Sequence, residues 1–330
     1  MIRTLIRDEE GNIETDVEAH ELEERLQDPG NLIWVDMSSL STTAVEETLK
    51  EIFAFHPLSV DDALNETHVP KVDEWGDYLY VVLRAAELAR DEDGDQELLV
   101  PELDIFLGRN FLVTCSWVHI KALDRVWNHC ELDERWLARG PDFLLYHVAD
   151  ELVADMIDIV EQMHASLDEI EEEIFGEASS DMLEELFTLK RNVLKLQRIV
   201  MPQRDVLQKL SRNKYGAIDK SERMYFRDVY DHLQRLYDLL DELVILVGSA
   251  LDTYLSVVNN RMNDVMKTLT VITALFMPLA FISGFFGMNF FESAADFNVW
   301  TSRATFAVAM IVMLLIPVLM YWWMRRKTWV

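Results

Sequence analysis

Residues 266–290 read MKTLTVITALFMPLAFISGFFGMNF, and this stretch decides the fold. It overlaps Thr268–Phe291, 24 residues without a charged side chain, and Ala304–Met324 is a second such run of 21. A helix needs about 20 apolar residues to cross a bilayer core, so both runs are predicted to span a membrane, at about 266–288 and 303–324. The alternative is a buried hairpin in a soluble core, but the acidic remainder of the chain offers no partner to bury it.

The rest of the chain is strongly acidic. The 330 residues include 59 acidic and 30 basic ones, for a net charge of −29. Only six basic and three acidic residues lie in 261–330, so residues 1–260 carry a net charge of −32. Such a surface cannot neutralise phosphates, which argues against a nucleic-acid partner. Two cysteines, Cys115 and Cys130, exclude a disulfide framework and a four-cysteine zinc site.

The orientation in the membrane follows from the charges beside the two spans. The opening MIRTLIRDEEGNIETD has no apolar run, so the N-terminal part is predicted to stay in the cytosol. Arg325, Arg326 and Lys327 form a positive cluster after the second span, as cytosolic flanks do. Two spans place both ends on one side. We therefore expect a cell-membrane protein, in contact with the lipid bilayer, whose two termini are cytosolic and whose linker near 289–303 faces outward.

Ahead of the spans, the sequence predicts an α/β domain over 1–140 and a helical region with a stalk over 141–262, leaving 263–330 for the hairpin and its tail. Ser41 is a predicted helix cap. The acidic stretch 91–95 is predicted to be a hairpin turn, because it lacks the bidentate glutamate of a calcium loop. The predicted strands are Asn31–Met37, Tyr78–Arg84, Leu98–Leu107 and Phe111–Ser116.

Two apolar seams predict long helices. The first steps by three or four residues from Val148 to Ile174, and a second helix is predicted over about 181–212 with a kink at Pro202. A third helix is predicted to begin near Ser221 and to continue as the first span, about 100 Å in all. We take its heptad seam as one reason to expect a ring of subunits. That seam consists of Leu233, Leu236, Leu240, Leu243, Val247, Ala250, Tyr254 and Val257.

A different stripe of the same helix is mixed in character. It is polar before the membrane, where it includes Asp252, and contains hydroxyl, small and methionine side chains within it. Such a stripe either packs helices together or lines a water path, and the spacing alone leaves both open. Two spans cannot enclose a pore, so a conduit requires an oligomer. From just before the span to its outer end, the stripe consists of Asn263, Met266, Thr270, Thr273, Met277, Ala280 and Gly284.

The triplet Gly287-Met288-Asn289, inside FFGMNF at the outer end of the first span, resembles the signature of CorA-type divalent-cation channels. The segments Met266–Phe290, Tyr225–Leu233, Leu251–Ser256 and His56–Leu83 also look like family segments, so the resemblance covers essentially the whole chain. It implies a funnel-shaped homopentamer whose first spans surround the pore. The motif residues Gly287, Met288 and Asn289 would form the outer ion-binding ring.

The resemblance also implies roles for residues inside the ring. Asp228 matches a position associated with regulatory intracellular Mg²⁺, and Asp252 matches one in the cytoplasmic pore. Glu87 and Asp91, which follow the YLYVVLR strand, are the candidate partners of Asp228. Positions matching pore-facing ones are Asn263, Met266, Leu269, Met277 and Ala280.

Two features depart from the family pattern. Position 280 is Ala where family members often have Thr, so one pore hydroxyl is lost. The outer loop FESAADFNVW lacks the Met-Pro-Glu-Leu segment of many members, which leaves Glu292 and Asp296 as the acids that could attract ions there.

The implied function is passive influx of Mg²⁺, with Co²⁺ and Ni²⁺ as further ions, gated by intracellular Mg²⁺. The sequence has no P-loop and no HExxH, so neither ATP use nor an enzyme is expected. His119 and His129 near the two cysteines could suggest zinc, but their scatter over strand and helix favours core and surface roles. A zinc transporter of the same superfamily and a non-conducting, membrane-anchored sensor or scaffold are the alternatives.

Overall fold

The structure is a computed structural model that describes residues 2–17, 19–39, 41–65, 69–90, 96–176, 178–287 and 303–327. The chain divides into two compact units, Met1–Leu251 and Asp252–Val330. The first unit contains an α/β domain and a group of long helices. The second contains the two apolar helices.

A seven-stranded mixed sheet forms the centre of the α/β domain, in the order β2-β1-β3-β9-β8-β5-β4. Only β3 and β9 pair in parallel; the other neighbours are antiparallel. A separate hairpin pairs β6 with β7. The strands are β1 Ile2–Arg7, β2 Ile13–Thr15, β3 Leu32–Ser38, β4 Lys71–Glu74, β5 Leu79–Arg84, β6 Glu87–Arg90, β7 Gln96–Leu99, β8 Glu102–Leu107 and β9 Phe111–Ser116.

Three of the four predicted strands are confirmed, as β3, β5 and β9. The prediction of one strand over Leu98–Leu107 is wrong, because the chain leaves the small hairpin after Leu99 and enters the main sheet at Glu102. Proline has no N–H for a sheet ladder, so Pro101 suits this junction. Its carbonyl oxygen still accepts a hydrogen bond from the N–H of Ala85 at 2.9 Å.

Helices cover both faces of the sheet. One face packs its apolar side chains, among them Val35, Tyr80 and Phe106, against residues of the first three helices and their connections. On the other face Trp34 contacts Trp127 of the fourth helix at 4.8 Å between ring centroids. Ser41 caps the second helix as predicted, since its side chain accepts from the N–H of Ala44. These helices are α1 Ala19–Leu26, α2 Thr42–Glu47, α3 Pro57–Leu64 and α4 Lys121–Leu132, and a single π-helical turn, Thr48–Ile52, follows α2.

Asp104 on β8 is a buried acid in this core. It is 1% exposed and accepts a hydrogen bond of 2.5 Å from the Tyr80 hydroxyl. Burial raises the pKa of the Asp104 carboxyl well above its usual value, and the Tyr80 hydrogen bond offsets this only in part. A carboxyl whose pKa rises on folding stabilises the folded state at low pH, and that contribution is lost as the pH rises through the folded-state pKa.

Replacing Asp104 with Asn should therefore flatten the pH dependence of stability. The amide oxygen can still accept from Tyr80, while the charge that must be desolvated above about pH 4 is gone. We expect the melting temperature of the full-length protein in detergent to fall less between pH 5 and pH 8 in Asp104→Asn than in the wild type. Asp168→Asn, at an exposed position of the helix Pro141–Ile174, is the control and should keep the wild-type profile. A wild-type profile in Asp104→Asn as well contradicts the assignment.

Three long helices follow the sheet: α5 Pro141–Ile174, α6 Ser180–Arg212 and α7 Arg223–Phe286. The first seam is confirmed, since all eight of its residues are at most 6% exposed. α6 continues through Pro202 as one helix. α7 runs antiparallel to α6, with Arg204 bonded to Gln234 and Gln208 to Tyr230. It runs parallel to α5, with Asp150 of α5 beside His232 of α7.

The heptad seam of α7 is buried within a single chain, which contradicts its use as a reason to expect a ring. From Leu233 to Ala250 its residues are at most 1% exposed within a single chain. Side-chain bonds tie this part of α7 to α5 and α6 of the same chain. The chain therefore buries this seam itself, and the inference that it requires a ring of subunits is wrong.

The second unit contains the apolar part of α7 and the helix α8, Arg303–Arg326. Both are long and apolar enough to cross a membrane, since the mean hydropathy of their most apolar 18 residues is 1.9 and 2.2. Large apolar side chains project from both, such as Phe281 at 73% exposure and Leu314 at 67%. A surface of this kind is stable in lipid rather than in water. The two predicted spans are therefore present as helices.

Candidate ion pathway and regulatory residues

The predicted pore-facing residues of α7 share one exposed surface. We call this the path stripe; Met266, Leu269 and Met277 in it are 57%, 56% and 65% exposed. All eight members fall in the exposed class. The path stripe consists of Asn263, Met266, Leu269, Thr270, Thr273, Met277, Ala280 and Gly284.

A second surface of α7 is partly buried within the same unit. We call it the hairpin stripe, and it consists of Val271, Ala274, Leu275, Pro278, Leu279 and Ile282. α8 has a matching series of partly buried residues at helical spacing, namely Ala309, Met313, Ile316, Pro317 and Met320. We infer that α7 and α8 pack on each other through these two series. At about 100° per residue, the path stripe points roughly 150° away from the hairpin stripe. The path stripe is thus left open by the hairpin.

Two threonines of the path stripe donate their hydroxyl protons to backbone carbonyl oxygens of the same helix. Thr270 donates to the carbonyl oxygen of Met266 at 2.7 Å, and Thr273 donates to that of Leu269 at 2.8 Å. A hydroxyl has one proton and two acceptor lone pairs. Both therefore present acceptor oxygens to whatever lies beside the stripe. Such oxygens suit the water protons of a hydrated cation.

The first span ends beside the Gly-Met-Asn triplet. α7 ends at Phe286, and the N–H of Gly287 bonds to the carbonyl oxygen of Ser283 at 2.9 Å. A Cβ atom at Gly287 would lie 3.1 Å from that oxygen, which is tight for any larger residue. Met288 and Asn289 lie outside the described residues, as do Glu292, Asp296 and Asp91.

Asp228, the proposed regulatory residue, is exposed on α7. Among the described residues it has no ion-pair partner. Burial raises the pKa of Tyr146 to about 12, with contributions from the charges of Asp150 and Asp228. Burial also raises the pKa of Asp150; His232, 3.7 Å away, opposes the shift, whereas Glu151 and Asp228 add to it. Asp228 and Asp150 are thus close enough to repel each other.

Asp150 is a residue whose setting the sequence analysis missed. In the sequence it is one of several acids outside the apolar seam, but the structure makes it partly buried, beside His232 of α7. The available signal was its position four residues after Tyr146, on the flank of the first seam. Because burial depends on which helix lies beside that flank, the seam alone could not reveal it.

The other two acids lie elsewhere. Glu87 is on β6, and its carboxylate forms an ion pair with Lys121 at the start of α4. A metal ion at Glu87 would have to displace that lysine. Asp252 is exposed and belongs to the second unit. The structure therefore brings neither of them to Asp228 within one chain.

The cysteines and histidines considered for a zinc site are either buried or engaged in other contacts. Cys115 and Cys130 are both buried, and burial raises the pKa of the Cys130 thiol to about 12. His119 pairs with Asp124, and His129 stacks on Trp136. Across the part of the chain that the structure describes, no three His, Cys, Asp or Glu side chains are grouped to hold a metal ion.

An α/β domain, a group of long helices and two exposed apolar helices define a two-span membrane protein. The family model described as "CorA-like Mg2+ transporter protein" matches residues 29–326. The chain belongs to this family, whose members are membrane transporters of divalent cations.

Individual relatives agree with this membership. The chain is 31% identical over 304 residues to the cobalt/magnesium transport protein CorA of Thermotoga maritima, covering 92% of this chain and 85% of that protein. The complete structure of the CorA magnesium transporter from Methanocaldococcus jannaschii superposes with a TM-score of 0.81, at 23% identity, over 99% of this chain and 98% of that one. At that identity the superposition supports the fold alone. The zinc transport protein ZntB of Yersinia pestis is 21% identical over 82% of this chain and 79% of that protein.

Proposed function

We propose that this protein is a passive channel for Mg²⁺ influx, with Co²⁺ and Ni²⁺ as further permeant ions, and that intracellular Mg²⁺ closes it. It acts as a homopentamer in the cell membrane, with both termini in the cytosol and one α7 from each subunit around the pore. The observation that carries the proposal is the open path stripe, directed away from the surface through which α7 packs in its own hairpin.

The path stripe also supports an oligomer. Facing lipid, the remaining acceptor lone pairs of the Thr270 and Thr273 hydroxyls would have only hydrocarbon tails beside them, and Asn263, just before the predicted span, would lie at the lipid surface. Two helices per chain cannot enclose a channel, whereas a closed ring turns every copy of the stripe toward a common axis. The ring would thus give these side chains water and ions as partners.

The chemistry of the stripe suits an ion that keeps its water. Mg²⁺ binds its waters tightly and dehydrates reluctantly. Rings of Asn289 side-chain carbonyls and of Thr270 and Thr273 oxygens would accept hydrogen bonds from those waters without removing them. Carboxylates in the same places would bind more strongly and slow release. Neutral acceptors therefore favour passage over trapping.

Closure and driving force need no further cofactor. Apolar collars at Met266, Leu269 and Met277 can close a narrow pore by excluding water. Asp252 would attract cations at the cytosolic end. A divalent ion that moves inward gains about 4.6 kcal/mol per 100 mV, at about 2.3 kcal/mol for each charge. The membrane potential is enough to drive uptake without ATP.

The hydroxyls of the path stripe provide a direct test of its role. Changing Thr270 and Thr273 together to Val keeps their shape but removes the acceptor oxygens. We expect the initial rate of Mg²⁺ uptake into liposomes to fall about 3- to 10-fold, the cost of losing such hydrogen bonds in the rate-limiting passage. Thr268→Val is the matched control. Its hydroxyl also bonds back to the helix, at 2.9 Å from the Asp264 carbonyl, but on the other side of α7. Equal effects at both places would mean that the stripe does not line the path.

The experiment that tests the function is ion uptake by purified protein in liposomes. We expect Mg²⁺ to enter under an inside-negative potential, Co²⁺ and Ni²⁺ to compete, and the mass in detergent to match five subunits. No flux above empty liposomes would favour a non-conducting sensor or scaffold. A monomer or dimer that still conducts would overturn the proposed assembly.

Zinc transport is the second candidate, because the named zinc transporter covers most of this chain at lower identity. The intact Gly-Met-Asn triplet favours Mg²⁺. The same liposomes separate the two, since a zinc transporter would carry Zn²⁺ in the presence of excess Mg²⁺.

A further inference from the structure

Arg139 joins the start of α5 to the start of α7. Its Nη2 atom donates to both carboxylate oxygens of Glu222, at 2.9 and 2.8 Å, and its Nη1 atom donates to the Tyr225 hydroxyl at 3.0 Å. The guanidinium also lies over the rings of Phe143, 3.8 Å from the centroid, and Tyr225, at 4.6 Å. The Glu222 side chain is 7% exposed. We call Arg139, Glu222 and Tyr225 the clasp.

A second contact holds the same two segments together. Asp142, in the first turn of α5, is 4% exposed. One of its carboxylate oxygens accepts from the N–H of Asp219 at 2.9 Å, and the other accepts from the N–H of Phe143 at 3.0 Å. The residues that lead into α7 are therefore fixed to α5 by two independent sets of bonds, one of which carries the full charge of a guanidinium.

The clasp lies one helical turn from the proposed regulatory acid. Tyr225 precedes Asp228 by three residues on α7, so the two are neighbours on its surface. The Tyr225 ring contacts those of Tyr146, at 5.1 Å, and Phe143, at 5.4 Å. Tyr146 and Asp150 are the α5 residues on which the charge of Asp228 acts. The clasp thus holds the first turn of α7, one helical turn before Asp228, against the start of α5.

We propose that Arg139 is a positioning residue for Mg²⁺ feedback, because it holds the first turns of α7 where Asp228 can take part in binding the intracellular ion. The proposal rests on the proposed function. Mg²⁺ demands near-ideal octahedral geometry, with its ligand atoms at about 2.0–2.1 Å, so a small displacement of a carboxylate that binds the ion or one of its waters weakens binding. Arg139 is not among the residues proposed to line the pore or to bind the ion.

Loss of the clasp should change the Mg²⁺ dependence of inhibition and leave uptake at zero internal Mg²⁺ close to normal. In Arg139→Gln we expect the internal Mg²⁺ concentration for half-inhibition to rise about 3- to 10-fold, the range typical of residues that couple two sites. Arg139→Lys keeps the charge and can still pair with Glu222, but it loses the Nη1 bond to Tyr225 and the planar contact with the aromatic rings, so an intermediate shift is expected. Glu222→Gln should resemble Arg139→Gln, and the double variant should add little, because both changes remove one contact.

Arg135→Gln is the matched control. Arg135 belongs to the same segment but is 85% exposed and pairs only locally with Asp133, so its variant should keep the wild-type value. The experiment measures uptake, half-inhibition and melting temperature in EDTA on full-length protein in liposomes or detergent. A lowered melting temperature with an unchanged half-inhibition in Arg139→Gln would show a merely structural contact and overturn the proposal. If Arg139→Gln does not fold, Arg139→Lys and Glu222→Gln decide by the same criterion. Wild-type protein that carries no Mg²⁺ would instead refute the proposed function itself.

Discussion

Asn289→Ala is expected to reduce Mg²⁺ uptake into liposomes by at least about tenfold, which corresponds to about 1.4 kcal/mol of lost stabilisation. The substitution removes a side-chain carbonyl from every subunit of the proposed outer ring. Hydrogen bonds to charged groups contribute about 1.5–3 kcal/mol each, and the waters of a divalent cation are strongly polarised donors. A ring of five acceptors at one level makes the loss large even where each contact is weak.

The control for this variant must separate the ring from folding. Asn260→Ala makes the same substitution on α7 at an exposed position off the path stripe, and should leave uptake unchanged. The mass in detergent should match that of the wild type in both variants. Asn289→Asp adds a further arm: a carboxylate should retain the ion longer, and uptake should saturate at lower external Mg²⁺. Wild-type uptake by correctly assembled Asn289→Ala protein would rule out the outer ring.

The two apolar helices could be predicted from the sequence, because their signal is local. A charge-free stretch of about 20 residues indicates a spanning helix whatever lies around it. The same holds for the seam from Val148 to Ile174, where spacing alone predicts the buried face of α5. Individual strands such as Phe111–Ser116 were also predictable, from apolar runs between turn residues.

Contacts between distant segments could not be predicted. The seam of α7 shows that one face must be buried, but periodicity does not say whether a neighbouring subunit or the same chain buries it. The break in Leu98–Leu107 arises because its first half joins the small hairpin and its second half joins the main sheet, which the local pattern does not reveal. Arg139 and Glu222 are 83 residues apart in sequence, so no local pattern connects them.

The candidate site divides along the same line. Seven of the eight members of the path stripe follow from spacing, since residues three or four apart share a helix face, whereas Leu269 comes from the family resemblance alone. Which face of α7 stays exposed could not be predicted, because it depends on the side of α7 that packs on α8. The setting of Asp228 beside Asp150 likewise needed α5 and α7 to lie side by side, and no pattern within α7 contains that information.

Asp228→Ala is expected to weaken the response to intracellular Mg²⁺ several-fold, in flux and in proteolysis. Residues 1–260 carry a net charge of −32, so a ring of five collects roughly −160, and this self-repulsion opposes a compact symmetric state unless cations offset it. Asp228 is exposed, has no ion-pair partner among the described residues, and its charge acts on the partly buried Asp150. A divalent ion at Asp228, shared with an acid of the next subunit, would bind the closed ring better than the open one and so favour it.

When internal Mg²⁺ falls, the ion leaves, repulsion returns and the ring loosens. Asp228→Ala should therefore need more Mg²⁺ for half-inhibition of uptake and for protection against protease, by about 3- to 10-fold. Asp168→Ala removes the same charge from an exposed position on α5 and tests whether bulk charge alone is responsible. The alanine also removes one negative charge per subunit from the ring. We therefore expect the free energy needed to close the ring at zero Mg²⁺ to be lower in Asp228→Ala than in the wild type. Equal shifts in both variants would make the acids a general charged surface, and wild-type Mg²⁺ dependence of Asp228→Ala in both assays would remove Asp228 as the sensor.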